Sequence, residues 1–209
     1  YQDPSHCTQI TERTWQHFDP SFPLYEKYSP KPWKIEHSAY KPDSNIEVIL
    51  KKIITTNVSA SYNLANEALE RGACQKGAEM MFFFNFLRGK KLNNIIEIGT
   101  AFGGMFYALC KLATPDATIV SIDFPEGEFA CGQPENPVEH LKKFGRPKQN
   151  LHILRVDSHL ESTKKTISEI FKGRKVDLLF IDGDHTYEGV KKDWEMYSPF
   201  MKKGGTVAF

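Results

Sequence analysis

The segment "VDLLFIDGDHTYEGVKKDWEMY", residues 176–197, passes from an apolar strand through a polar turn into a helix. The strand is so apolar that we expect it to be buried on both faces. Val190, Trp194 and Tyr197 recur at helical spacing and predict the side of the helix that packs on the core. A doubly buried strand followed by an amphipathic helix is typical of a parallel sheet covered by helices.

The same alternation extends over the second half of the chain. Strands are predicted at residues 94–99, 117–123, 151–157, 176–182 and 205–209, with helices between them at residues 105–113, 138–145, 161–173 and 187–201. Regular alternation of this kind predicts an α/β fold with a doubly wound, mostly parallel Rossmann-like sheet.

The amino-terminal part has a different composition. Residues 1–42 combine prolines with aromatic residues, a mixture that disfavours helices and strand ladders and predicts an irregular arm. The aromatic residues of this arm either pack over the domain or line a substrate pocket. Ser44 and Glu47 have the spacing of a capping box, and the apolar residues around them predict an amphipathic helix through residue 53.

The chain is therefore expected to have three parts. They are an irregular arm at residues 1–42, a helical extension at residues 43–90 with further helices at 62–71 and 76–87, and a main domain at residues 91–209.

Composition limits the classes of partner. Lys and Arg number 27 and Asp and Glu 26, so the formal net charge of +1 gives no reason to expect nucleic acid or an anionic membrane. The four cysteines are scattered, which favours reduced thiols and a cytoplasmic protein. The most apolar run, residues 80–87, is far shorter than the roughly 20 residues of a membrane span. We expect a small-molecule partner and leave the oligomeric state open, including a homo-oligomer.

Polar residues follow each of the first four strands of the predicted sheet. In doubly wound sheets, ligands bind at the carboxyl ends of the strands, near the point where strand order reverses. The residues are Glu97 to Gly104 after the first strand, Asp123 after the second, Asp157 and Ser158 after the third, and Asp182 to His185 after the fourth. Their shared position predicts a ligand site at this edge of the sheet.

The turn "EIGTAFGG", residues 97–104, places glycines between a strand and a helix. Missing side chains allow backbone N–H groups to approach a ligand at a helix N-terminus, although such turns also serve packing. A nicotinamide dinucleotide is disfavoured, because its fingerprint needs glycine where this chain has Ala101. Asp123 can accept both hydroxyls of a ribose; the alternative is an aspartate that caps the next turn.

Four segments together resemble a known family. They are "IIEIGTAFGG", "TIVSIDFPEGEF", "LHILRVDSH" and residues 176–209, and they are similar, in the same order, to motifs of class I S-adenosylmethionine-dependent methyltransferases. More narrowly, they resemble the methyltransferase-24 group, which is related to cephalosporin hydroxylase-like and macrocin-type O-methyltransferases. The resemblance covers about residues 75–209. The family's last strands would follow Phe209, so we expect the sequence to be part of a longer product.

The resemblance implies a role for each polar cluster in binding S-adenosylmethionine. The methionine part would lie on Glu97, Gly99, Thr100, Gly103 and Gly104, the ribose on Asp123, and the adenine beside Asp157 and Ser158. For Asp157 the alternative is the N-cap of the following helix, and both roles are compatible.

The fourth strand would carry the catalytic end of this site. In metal-dependent relatives, the residue at the position of Asp182 binds a divalent cation and the residue at the position of His185 acts as general base. Mg²⁺ suits such oxygen ligands, and its other carboxylates would follow Phe209. The alternatives are a hydrogen bond from Asp182 to the cofactor or to turn amides, and a first-turn polar role for His185. Asp184 is predicted to cap the helix near Tyr187.

The sequence therefore predicts an O-methyltransferase that uses S-adenosylmethionine, assisted by a divalent metal, on a hydroxyl of a sugar or small natural product. One alternative is an NAD- or nucleotide-sugar-dependent oxidoreductase, against which Ala101 argues. The other is a non-catalytic cofactor-binding scaffold, against which the presence of both Asp182 and His185 argues.

Overall fold

The structure is a computed structural model, and it describes residues 33–40, 46–52, 56–125 and 137–209. The described residues fall into two compact units, which divide between Thr56 and Asn57. The predicted boundaries of the arm and the extension stay predictions.

The first unit contains an antiparallel pair of strands. Strand β1, Trp33–Tyr40, pairs with strand β2, Ile46–Lys52. The register runs from Trp33 opposite Lys52 to Tyr40 opposite Ile46, with an irregularity between Ile35 and His37.

The helix predicted through residue 53 is wrong, because its apolar part forms strand β2. The segment 46–52 also fits a two-residue period and is rich in β-branched residues, which favour strands. Its strand partner β1 lies within the predicted irregular arm, so that prediction is wrong for residues 33–40. Residues 1–32 and 41–42 of the arm lie outside the described residues.

The second unit begins with the two further helices that the sequence predicts. Helix α1 covers Thr56–Glu70, and helix α2 covers Gly77–Leu87. The most apolar run of the chain lies in α2, where Met80, Met81, Phe84 and Leu87 are buried. Among the described residues, no helix combines the length and apolarity that crossing a membrane requires.

A five-stranded, all-parallel sheet forms the centre of the second unit, which confirms the predicted α/β fold. Its strands are β3 (Asn94–Ile98), β4 (Thr118–Ile122), β5 (Asn150–Leu154), β6 (Val176–Ile181) and β7 (Met201–Ala208). The helices that follow the first four are α3 (Gly104–Leu112), α4 (Pro137–Lys142), α5 (Glu161–Phe171) and α6 (Tyr187–Tyr197), the last continued by one 3₁₀ turn (Ser198–Phe200).

The strand order is β5-β4-β3-β6-β7, and every neighbouring pair is parallel. The chain runs outward from β3 to β5 and then crosses back to β6 on the other side of β3. The order therefore reverses between β3 and β6, which is where such sheets bind ligands. Strands β3, β4 and β6 are buried along their whole length and fix the positions of the turns that follow them.

Helix α6 packs through a different side than its sequence predicts. Gly189, Asp193, Met196 and Tyr197 are buried, whereas Trp194 is 41% exposed. The predicted core stripe is therefore confirmed for Tyr197 and wrong for Trp194. The buried side of the helix passes instead through Asp193, whose Oδ1 lies 3.3 Å from Nε2 of His159 in the loop after β5.

Candidate functional site

The turn after β3 lies directly against the turn after β6. Gly99 has a φ of +86°, and a Cβ on it would lie 2.1 Å from the carbonyl oxygen of Asp182. The Asp182 N–H in turn donates to the Ile98 carbonyl at 2.8 Å. Glycine is therefore required at this position, both for the left-handed backbone and for the close approach of the two turns.

The other glycines of the turn serve packing. Gly103 is the N-cap of α3, and Gly104 is the first residue of that helix. A Cβ on Gly104 would lie 2.2 Å from the backbone nitrogen of Ala73, so α3 begins against the loop that joins α1 to α2. Neither glycine is among the described residues that line the pocket at this edge of the sheet.

Asp123 fixes the turn from the side of β4. Its Oδ1 accepts from the Thr100 N–H at 3.0 Å and from the Ala101 N–H at 3.3 Å. Its Oδ2 accepts from the guanidinium of Arg155, which follows β5. The structure therefore brings Asp123 to the glycine turn, where the sequence predicts the ribose partner, and shows a second function that the sequence did not indicate: holding the turn.

Glu97 lies beneath the turn and is completely buried. Its Oε2 accepts from the Thr100 hydroxyl at 2.9 Å, while Oε1 has no hydrogen-bond partner among the described residues. Burial raises the pKa of Glu97 to about 8; the Thr100 hydrogen bond opposes this, and the charges of Asp123 and Asp182 add to it. Glu97 is thus mostly protonated at neutral pH and supports the turn from below.

A pocket opens between the turn after β3, the turn after β6 and the loop that joins α1 to α2. The described residues that line it are Gly72, Cys74, Gln75, Gly99, Thr100, Ala101, Met105, Asp182 and His185. Four predicted site residues thus meet in one place, namely Gly99, Thr100, Asp182 and His185. The pocket lies at the predicted edge of the sheet, beside the reversal of strand order.

Asp182 and His185 form the β6 side of this pocket. Asp182 Oδ2 accepts from the Gln75 side-chain amide at 2.5 Å, and Oδ1 lies 3.9 Å from Nε2 of His185. Burial raises the pKa of Asp182, while the Gln75 hydrogen bond and His185 oppose that rise. The His185 side chain is 68% exposed, so it stands at the opening of the pocket, where a ligand from solvent can reach it.

The predicted metal ion does not fit the described residues by themselves. Asp182 supplies one carboxylate, and Mg²⁺ requires near-octahedral coordination by several oxygens. In the part of the chain that the structure describes, no group of three or more His, Cys, Asp or Glu side chains is arranged to hold a metal ion. Metal binding therefore stays a prediction that depends on further ligands.

The loop after β5 does not line the pocket in its described part. Asp157 Oδ1 accepts from the His159 N–H at 2.7 Å, and the Ser158 carbonyl accepts from the Tyr197 hydroxyl at 2.6 Å. The N-cap of α5 is Leu160, so the alternative that Asp157 caps this helix is wrong. The adenine role of Asp157 and Ser158 stays a prediction.

The cap of α6 also differs from the prediction. Thr186 is the N-cap, and its side-chain oxygen accepts from the Gly189 N–H at 3.1 Å. Asp184 instead accepts from the Thr186 N–H at 2.8 Å, two residues along the chain. Thr186 therefore has the capping role predicted for Asp184, because the helix begins one residue after it.

Sequence reasoning missed two polar contacts. Gln75 reaches Asp182 across 107 positions of sequence, and only the fold brings them together. Asp193 on α6 is buried with a pKa raised by burial, and its Oδ1 lies 3.3 Å from Nε2 of His159. The sequence signal that could have identified Asp193 is a polar residue at a helix position that faces the core. No pattern in the sequence distinguishes Gln75.

Comparisons with known proteins agree with the fold. Residues 96–209 match a family model described as "Methyltransferase domain". An uncharacterized protein of Acanthamoeba polyphaga mimivirus is 30% identical over 114 residues, which is 54% of this chain and 49% of the relative. The chain thus spans about half the length of the curated relative that it matches.

Proposed function

Because the chain belongs to this family of methyltransferase domains, we propose that it methylates a hydroxyl group with S-adenosylmethionine as the donor. The acceptor in this proposal is a sugar or another small natural product. The resemblance to macrocin-type enzymes supports this acceptor. The acceptor is proposed for the whole protein, of which this chain is a part in the proposal.

The charge of the pocket supports the proposed cofactor. Among its described lining residues Asp182 is a carboxylate, and none is Lys or Arg. Burial is the main cause of the raised pKa of Glu97, and the charges of Asp123 and Asp182 add to it. Arg155 is paired with Asp123, which leaves Asp182 as the charge that lines the pocket itself. A negative field favours a ligand with sulfonium and ammonium groups over one with a pyrophosphate. This observation supports S-adenosylmethionine against the dinucleotide alternative.

The residues of the pocket have separate roles in the proposal. Gly99 and Thr100 give the cofactor close access to the backbone of the turn, and Asp182 receives the ammonium group of its amino-acid end. Asp123 takes the ribose while it continues to hold the turn. Asp157 and Ser158 lie beside the adenine. When bound, the cofactor supplies an electrophilic methyl carbon attached to a sulfonium sulfur.

His185 is the general base in this proposal. It stands exposed at the pocket opening, and histidine is the side chain best suited to exchange protons near neutral pH. Nε2 takes the proton of the acceptor hydroxyl while the new O–C bond forms and the S–C bond breaks. The positive charge passes from the sulfonium to the imidazolium, where Asp182 Oδ1, at 3.9 Å, stabilises it.

The protein's surroundings are also part of the proposal. Cys74 and Cys110 are free thiols among the described residues, which supports a reducing, cytoplasmic location. The near-neutral charge supports a small-molecule acceptor rather than nucleic acid or a membrane. Light scattering of the purified protein distinguishes a monomer from a homo-oligomer.

Two measurements test the function. Calorimetry should show binding of S-adenosylhomocysteine and none of NAD; binding of NAD instead would restore the oxidoreductase alternative. A labelled methyl donor incubated with hydroxyl, amine and thiol acceptors should label hydroxyl compounds. Transfer to amines alone would contradict the acceptor class, and binding without transfer to any acceptor would favour the scaffold alternative.

A further inference from the structure

We propose that Gln75 is a positioning residue that orients Asp182 at the amino-acid end of the cofactor pocket. Through Asp182, Gln75 sets the affinity for ligands that carry an amino-acid group. This inference rests on the proposed function, because it assigns the amino-acid end of S-adenosylmethionine to the side of the pocket that Asp182 lines.

The contact between the two residues joins distant parts of the second unit. Gln75 lies in the loop between α1, which ends at Glu70, and α2, which begins at Gly77. Its amide nitrogen donates to Asp182 Oδ2 at 2.5 Å. A hydrogen bond to a carboxylate is stronger and more directional than one between neutral groups, so it can fix the rotation of the Asp182 side chain.

The backbone that carries Gln75 is held in place on both sides. The Ala73 N–H donates to the Ala68 carbonyl at 3.0 Å, and the Met80 N–H donates to the Lys76 carbonyl at 3.0 Å. The start of α3 at Gly104 packs against Ala73 so closely that a Cβ would lie 2.2 Å from its nitrogen. A side chain on a fixed loop can position its partner, whereas one on a loose loop would follow it.

Asp182 needs such a partner because only its backbone is fixed by the sheet. Its N–H donates to the Ile98 carbonyl, which sets the Cα but leaves the carboxylate free to rotate. Gln75 holds Oδ2, and this leaves Oδ1 on the side of His185, at 3.9 Å. One oxygen is thus used for orientation, and the other stays available to the amino-acid group of a ligand.

Glutamine meets the chemical requirements of this position. The amide donates without adding a charge, so the negative field of the pocket is preserved. Its Oε1 is buried and has no hydrogen-bond partner among the described residues, so in that part of the chain the bond to Asp182 is what orients the amide. Leucine has a similar size but no donor, and asparagine keeps the donor on a shorter side chain.

The experiment compares two ligands on the full chain. S-adenosylhomocysteine carries the amino-acid group, and 5′-methylthioadenosine lacks it but keeps the nucleoside. For Gln75→Leu, calorimetry should show roughly 10-fold or greater loss of affinity for S-adenosylhomocysteine, because the charged Asp182 is no longer held in position to bond its ammonium group. Affinity for methylthioadenosine should change by less than about 2-fold.

A double-mutant cycle shows whether Gln75 acts through Asp182. In an Asp182→Ala background, Gln75→Leu should cause no further loss for S-adenosylhomocysteine, because the group that it positions is absent. The affinity of Gln75→Asn for S-adenosylhomocysteine should lie between those of wild type and Gln75→Leu. If the leucine variant does not fold, Gln75→Asn replaces it in the test. Thermal melting of each variant confirms folding.

The outcomes separate the two proposals. Equal losses for both ligands would show that Gln75 merely supports the loop, and unchanged affinity for both would show that Asp182 orients without it; either result overturns the inference alone. If the wild-type chain binds neither ligand, the proposed function fails and the inference fails with it. Loss restricted to S-adenosylhomocysteine supports both.

Discussion

Gly99 and Asp182 meet at the reversal of strand order, where a Cβ on Gly99 would lie 2.1 Å from the carbonyl oxygen of Asp182. The two residues follow adjacent parallel strands, β3 and β6, whose pairing places Ile98 opposite Ile181. The proposed cofactor turn and the proposed catalytic turn are therefore one packed unit. A change in either turn is expected to displace the other.

Gly99→Ala should destabilise the fold by at least about 2 kcal/mol, because the left-handed backbone and the clash with Asp182 both oppose a side chain. Gly173→Ala is the matched control, since Gly173 has a φ of +82° but nothing within 4 Å of the added Cβ. It should cost only the backbone part, about 1 kcal/mol. Urea unfolding measures both; equal losses would show that the two turns are not tightly packed.

Glu97 should make the protein less stable as pH rises. Its pKa is raised from 4.5 to about 8 in the folded chain. Between these values the folded state keeps a proton that the unfolded state has lost, so the free energy of unfolding falls with rising pH, by on the order of several kcal/mol. Below pH 4.5 both states hold the proton, so the contribution of protonated Glu97 to the free energy of unfolding is fully present.

Glu97→Gln removes this titration and should flatten the dependence of unfolding free energy on pH over the same window. Glu79→Gln is the control, because Glu79 lies exposed on α2 in a pair with Lys76. Denaturant unfolding at pH 5 and pH 8 gives both slopes. A Glu97→Gln slope identical to that of wild type would contradict a protonated, buried Glu97.

Asp123→Asn should weaken binding of S-adenosylmethionine by roughly 1–3 kcal/mol, since charge-assisted hydrogen bonds to the ribose and to the turn amides are lost. Part of this loss reflects loosening of the turn, because Thr100 and Arg155 lose their anionic partner as well. Asp116→Asn, at an exposed position before β4, is the control. Calorimetry measures the affinity of each variant for S-adenosylmethionine. An unchanged affinity in Asp123→Asn would show that Asp123 does not bind the cofactor.

His185→Ala should reduce turnover by about 10² to 10⁴, the usual contribution of a general base. Its side chain is 68% exposed, so neither folding nor cofactor affinity should change. Steady-state kinetics on the methylated acceptor, together with calorimetry of the cofactor, separates the two effects. Turnover at the wild-type rate would exclude His185 as the base.

Chelation tests the predicted cation. We expect EDTA to abolish methyl transfer by the full-length protein and added Mg²⁺ to restore it. Affinity for S-adenosylhomocysteine should stay constant in EDTA, because Gln75 holds Asp182 without a cation. Methyl transfer that continues undiminished in the chelator would leave Asp182 with its role on the cofactor side alone.

The sequence by itself determined the succession of strands and helices from Asn94 onward. The helices there have a helical period, and the buried strands are short, continuous apolar runs bounded by turn residues. Because parallel strands present their carboxyl ends at one edge, the order of the motifs also placed Gly99, Asp123 and Asp182 near one another.

Where the sequence allowed two local structures, only the tertiary structure decided which one formed. Residues 46–52 fit both a helix and a strand, and pairing with β1 selected the strand. On α6, packing against the core buries Asp193, Met196 and Tyr197 and leaves Trp194 exposed. The Gln75 contact with Asp182 spans 107 positions. Such outcomes depend on contacts between distant segments, and local periodicity contains no information about which distant segment will be adjacent.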